Sequence, residues 1–233
     1  MKNMHFLSRS TIQYFYIFIL IYLIVQLVES KEVYINNEQE LIQNINSNKI
    51  LIINNSFNVS ETIEVSSDIS SISFQGNNPN ISSINILNDA KFIFNNNNSI
   101  KFYNITLNGQ ILFNENKNVF IENVNFNGYI NATLNDGNVF IKSSQMTSES
   151  TYNNTIDDAF IFRNGNIIIE DSKFYGNRRI KNLINFDGNN KYQIKIIDSF
   201  FDGNYESSHI NISNGEIKLE GSKLINGYSY ENG

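Results

Sequence analysis

A ten-residue pattern of apolar and polar positions recurs along the chain without being copied. It runs from Ile100 to Gly109, Val119 to Gly128 and Val139 to Ser148. It returns from Ile167 to Gly176, Ile194 to Gly203 and Ile217 to Asn226. Apolar residues hold the first, third and eighth places. Asn, Ser, Asp or Gly holds the fifth. Alternation sends the first and third residues to one side of a short strand. The fifth place then reads as a sharp bend, because Asn104, Asn123, Asp171, Asp198 and Gly221 are types that tolerate a left-handed backbone. A second short strand points Leu107, Phe126, Met146, Phe174, Phe201 and Leu224 inward.

A third strand follows in most repeats, at Phe160–Phe162, Leu183–Phe186 and His209–Ile212. It is closed by turn signals such as Asp136-Gly137, Asn164-Gly165, Asp187-Gly188 and Asn214-Gly215. Glycines ending successive phrases stand 19 residues apart (Gly109 and Gly128) and 27 apart (Gly176 and Gly203). Three short strands per repeat at this period predict an all-β fold, a parallel β-helix whose coils stack to bury a continuous core. Phe126, Phe174 and Phe201 should then share one internal column, and Asn104 and Asn123 should begin a polar ladder at the bend. The segments Ser56–Glu61, Ser148–Asp157 and Arg178–Lys181 read as excursions from the solenoid.

Ahead of the repeats, Glu32–Ile35 reads as a strand, followed by one short helix. Asn37 is its N-cap, Glu38 and Glu40 lie in its first turn, and Leu41, Ile42 and Ile45 form its apolar face. The helix is placed to cover the apolar end of the first coil, from which unpaired strand edges would otherwise face solvent.

The extreme N-terminus departs from this pattern. Lys2 and Arg9 precede an unbroken apolar run from Tyr14 to Val25, and Val28-Glu29-Ser30 suits cleavage after Ser30. Residues 1–30 therefore read as a signal peptide and 31–233 as the β-helix domain. The location expected is secreted or cell surface, with no membrane span once the signal is removed. An uncleaved anchor extended through Val28 is the competing reading. The chain stops at Gly233 just after a coil phrase, so the solenoid is expected to be incomplete there.

Composition narrows the chemistry. Of the 233 residues, 41% are hydrophobic and only 17% charged, so neutral polar residues must supply most of the surface. Asn is usually depleted in strands, and its abundance suits a fold with many turns. A bias toward AT-rich codons is an equal source of the excess. Cysteine is absent, which excludes disulfides and thiolate metal sites. The net charge of −6 and the lack of a long basic run argue against a nucleic-acid partner. Asn-x-Ser/Thr sequons begin at Asn54, Asn58, Asn80, Asn97, Asn104, Asn131, Asn153 and Asn211, each a glycan acceptor where exposed.

The helix-then-strand entry, the strand–Asn–strand bend and the endings Phe174-Tyr175-Gly176-Asn177 and Phe201-Asp202-Gly203-Asn204 resemble right-handed β-helix proteins of the pectin-lyase-like superfamily. The two endings are also similar to polymorphic outer-membrane-protein repeats, without their Gly-Gly-Ala-Ile phrase. The resemblance spans Glu32 to the C-terminus. It implies a fold that hosts lyases, hydrolases, adhesins and stalks alike.

The superfamily's hydrolases carry Asn-Thr-Asp, Asp-Asp, Gly-His-Gly and Arg-Ile-Lys motifs. The resemblance makes Asp157, Asp158 and Arg179 the catalytic candidates here. The pattern is incomplete, since Asn154-Thr155 lacks its Asp and His209 is not flanked by glycine. The bland reading of Asp157 and Asp158 is a solvated loop, or a cap on the Phe160 strand. The outward third-strand positions Ile161, Arg163, Asn185 and Asn211 are mostly neutral and suit calcium poorly. No cofactor or metal site is expected. The reading favours a non-catalytic β-helix for adhesion, wall association or spacing, with a polysaccharide or cell-wall glycan as partner. Its rivals are a polysaccharide lyase or hydrolase and a carbohydrate-binding module.

Overall fold

The computed structural model describes residues 31–45, 49–148, 156–177 and 180–228. The chain divides into two units, 1–31 and 32–233. The signal-peptide reading falls on the first, outside the described residues. The second is a parallel β-solenoid.

Its first coil consists of the strands Lys49–Ile53, Ser56–Val59 and Ile63–Val65. Each pairs in parallel with its counterpart one coil later, Ser71–Gly76, Ser83–Ile86 and Lys91–Asn95. From Thr106 onward some corners open, so that one strand serves all three faces in Thr106–Glu122 and in Asn125–Lys142, and two faces in Ile156–Glu170. Among the described residues seven third strands are in register, which makes seven full coils.

Stacking in register turns the sequence alternation into columns. On the second face Phe57, Ile84, Leu107, Phe126, Met146, Phe174, Phe201 and Leu224 succeed one another. All are buried except Leu224, which packs against the core partly buried. Burying one such side chain contributes about 1.5–3 kcal/mol. A second aromatic cluster fills the early coils, where Phe94 stacks on Phe113 at 5.3 Å.

The bends behave as their residue types dictate. Asn104, Asn123, Ser143, Asp171, Asp198 and Gly221, the fifth residue of six successive phrases, all have φ between 46° and 61°. Asn123 donates its amide to Asn104, and that ladder ends at Ser143. The sixth place holds a further device. Ser144, Ser172, Ser199 and Ser222 form an interior row in which the backbone N–H of each of the first three bonds the hydroxyl of the next, at 3.1–3.2 Å. Buried corner N–H groups are thereby satisfied. Gly109 and Gly128 stack at another corner with φ of 115° and 153°. A Cβ on Gly128 would lie 2.0 Å from the Gly109 carbonyl oxygen, so no side chain fits.

The helix spans Glu38–Asn44, and the Asn37 side chain accepts from the Glu40 N–H at 2.9 Å. Leu41 is fully buried and Ile45 packs against the core, whereas Ile42 is 47% exposed. Residues four apart share a helix face; Ile42 is turned about 100° from Leu41 and lies off it. The Glu38 carboxylate fastens the helix to the first coil by accepting from the Ser60 N–H (2.7 Å), the Ser60 hydroxyl (2.9 Å) and the Glu61 N–H (3.0 Å).

All three expected excursions lie partly within the solenoid. Ser56–Val59 is a regular strand with Phe57 and Val59 buried. Its polar residues face outward by ordinary alternation, which reads in sequence like a loop. Ile156 and Asp157 open a strand, as do Ile180 and Lys181. Residues 149–155, 178 and 179 lie outside the described residues.

Candidate functional site

The third face carries the densest cluster of polar side chains around the sequence candidates. Asp158 is not in a solvated loop. It sits in the strand Ile156–Glu170, two residues before the buried Phe160, and is 9% exposed. It shares the inward parity of Phe160 and Phe162, so the start of the strand draws it beneath the surface. Asn182 and Ser208 are its register partners in the next two coils.

Both carboxylate oxygens are engaged. Asn182 donates to Oδ1 at 2.6 Å and Asn185 donates to Oδ2 at 2.7 Å. Ser208 in turn donates to the Asn182 carbonyl oxygen, and Asn211 to that of Asn185 at 3.2 Å. A buried carboxylate is tolerated where hydrogen bonds replace its hydration. Two amides do so here.

Beside this cluster Arg163 donates to the Asn131 Oδ1 at 2.9 Å. Burial pushes the Tyr129 phenol above its ordinary value, against the Arg163 charge and the Asn131 hydrogen bond, which act the other way. Tyr129 is therefore a neutral hydroxyl at physiological pH. The arrangement offers a phenol, a guanidinium and several amides on one face. It can hold hydroxyl-rich or anionic groups by hydrogen bonds. Hydrolysis of a glycosidic bond needs two carboxyl groups at a set separation in different environments. Asp158 by itself supplies one, with both oxygens already accepting.

The side chain of Asp157, and all of Arg179 and Asn153, lie outside the described residues. Among the described residues no group of three or more His, Asp or Glu side chains converges as a metal site would require, and no helix is long and apolar enough to cross a membrane. His209 is half-buried, its Nε2 2.6 Å from the Ile225 carbonyl oxygen.

The sequons differ in environment. Asn58 and Asn80 are exposed, and Asn54, Asn104 and Asn131 are half-buried. Asn97 is not an acceptor in this fold. It is fully buried, and its amide nitrogen donates to the Ser66 carbonyl at 3.0 Å and to the Ile69 carbonyl. A glycan on that nitrogen would replace one of its two N–H donors and would have to displace the wall of the corner. Asn211 is exposed but its amide donates to Asn185.

Asn182 escaped the sequence reading. A signal for Asn182 was present: Asp158, Asn182 and Ser208 each stand two residues before an inward Phe or Ile of the third strand. No protein-family model matches the chain, and neither a curated protein nor a solved structure matches it.

Proposed function

We propose that this chain is a secreted or cell-surface solenoid scaffold without a catalytic centre, serving in adhesion or in association with wall glycans. The clamped Asp158 carboxylate carries this reading. Its two oxygens accept from Asn182 and Asn185, a state suited to holding strands together rather than to trading protons. The column geometry supports it too. Stacked coils make a stiff rod with long, flat, neutral polar faces, the kind of surface that meets an extended polymer. Kinship with right-handed β-helices of the pectin-lyase-like superfamily belongs to the same proposal.

The test is direct. Purified chain is incubated with polygalacturonate, xylan and cellulose, and both reducing ends and retention on the insoluble polymers are measured. Retention without release of reducing ends supports the reading. Turnover that vanishes in Asp158→Asn would overturn it and make the third face an active site.

A further inference from the structure

A second surface, on the first face, has a different chemistry. Its outward positions break the polar pattern of the molecule. Phe120 and Phe140 point away from the core, half-buried, in adjacent coils, with rings stacked 5.0 Å apart and 5° from parallel. Ile168 continues the row one coil on. Two aromatic rings and an isoleucine in line form an apolar strip that the fold does not require, since the interior is filled from the other side by Val119, Ile121, Val139 and Ile141.

A row of amides runs alongside. Asn138 donates to Asn118, and Asn166 to Asn138, each at 3.3 Å. The Gln193 N–H bonds the Asn166 Oδ1 at 3.1 Å. Each ladder bond uses one of an amide's two N–H groups. The second is left as a donor, and such donors repeat at the inter-strand spacing of about 4.8 Å. The row opens into a cleft of about 440 Å³ walled by Asn166, Asn190, Tyr192, Gln193 and Lys218. At its edge the Gln193 Oε1 is buried and has no hydrogen-bond partner among the described residues. An acceptor left this way is destabilising unless something donates to it.

We propose that this strip and cleft form a binding site for a neutral linear glycan. The inference rests on the reading of the chain as a glycan-associating scaffold. Sugar rings present an apolar C–H face to Phe120, Phe140 and Ile168 while their hydroxyls accept from the amide row. A sugar in the cleft donates a hydroxyl hydrogen to the Gln193 Oε1. Neutral rather than acidic glycan follows from the charges. Lys142 is paired with Glu170 at 3.7 Å, Lys195 with Glu220 at 3.1 Å and Lys191 with Asp136 at 2.6 Å. The Lys101 ammonium sits 5.5 Å from the Phe120 ring. Glu216 and Lys218 both line the cleft and offset one another, so it presents no unbalanced positive charge to a polyanion.

Calorimetric titration of the full chain with cellohexaose, mannohexaose and polygalacturonate tests the site. At least one neutral hexasaccharide should bind. Phe140→Ser and Gln193→Ala should each weaken it by about tenfold or more, with thermal midpoint and far-ultraviolet spectrum held as in the parent. Asp158→Asn, on the third face, should leave that affinity unchanged. Neutral-glycan binding that survives both first-face substitutions overturns the site and leaves the scaffold reading standing. Binding of polygalacturonate alone overturns the neutral-ligand assignment. Binding of none of the three overturns the site and the glycan reading together.

Discussion

Phe174 and Phe201 stack face to face, one coil apart, with ring centroids 4.6 Å apart and planes 6° from parallel. Both are fully buried. The Phe160 ring meets Phe174 edge-on at 5.6 Å, tying the second face to the third. Phe174→Ala should therefore destabilise the chain by about 3–5 kcal/mol, the cost of emptying a buried aromatic site. Urea denaturation reads the change as a lower midpoint at constant slope. An unshifted midpoint would mean that the column is not packed as described.

Asp158→Ala should cost about 1–3 kcal/mol, because it leaves the amides of Asn182 and Asn185 buried without an acceptor. A solvated loop residue would cost almost nothing. Asp158→Asn should recover part of the loss if one amide rotates to accept. The three midpoints, measured side by side, distinguish a structural clamp from a surface residue.

Ser143 occupies a left-handed bend that its neighbours fill with Asn or Asp, with φ of 48°. Ser143→Asn should raise stability by about 0.5–1 kcal/mol, since Asn tolerates that conformation better. Its amide can also extend the Asn104–Asn123 ladder by one rung. A higher thermal midpoint is the expected result; a lower one would show that the ladder cannot continue past Asn123.

The helix cap should loosen in acid. Desolvation raises the Glu38 carboxyl, but hydrogen bonds from Glu61 and Ser60 outweigh it and hold the group below its ordinary value of 4.5. A folded pKa below the unfolded one gives stability that is fully present above about pH 4.5 and disappears as pH falls through the lowered value. Glu38→Gln should flatten the dependence of stability on pH in that window. Identical acid profiles for the two proteins would remove Glu38 from the capping role.

Peptide mapping of the chain produced in a glycosylating host should find Asn97 unmodified even if Asn58 and Asn80 carry glycans. Asn97→Ala should be destabilising by about 1–3 kcal/mol, because it removes the amide donor to the Ile69 carbonyl and the acceptor of the Asn116 amide. A glycan on Asn97 in folded protein would contradict the corner geometry.

The solenoid was legible because one physical rule, alternation interrupted by left-handed corners, repeats in every coil. Asn104, Asn123, Asp171, Asp198 and Gly221 announced the bends by residue type alone. The helix was legible through Asn37 and its two early glutamates, although Ile42 was assigned to the wrong side. The polar sites were harder to read because they are columns. Asp158, Asn182 and Ser208 are 24 and then 26 residues apart and become neighbours only through register. Asp157 and Asp158, adjacent in sequence, drew attention as a pair, yet the partners of Asp158 are Asn182 and Asn185, brought to it from the next coil. The Phe120–Phe140 strip was hidden for a similar reason: each Phe alone looks like an ordinary core residue of a strand.

The amide ladders have a direction. Asn85 donates to Asn58, Asn108 to Asn85, Asn116 to Asn97 and Asn211 to Asn185, always from the later coil to the earlier. Chemistry sets the sense in two of them. Asp158 can only accept, so Asn185 must give it the amide and keep its own oxygen for Asn211. Asn97 spends its amide on two backbone carbonyls and likewise keeps its oxygen for the next coil. At these amide ladders a finished coil thus meets the next with side-chain acceptors already in place, while its other side is closed by the coil before it or by the helix. A chain made from its N-terminus onward lays each coil on a template completed moments earlier, so assembly and synthesis run the same way.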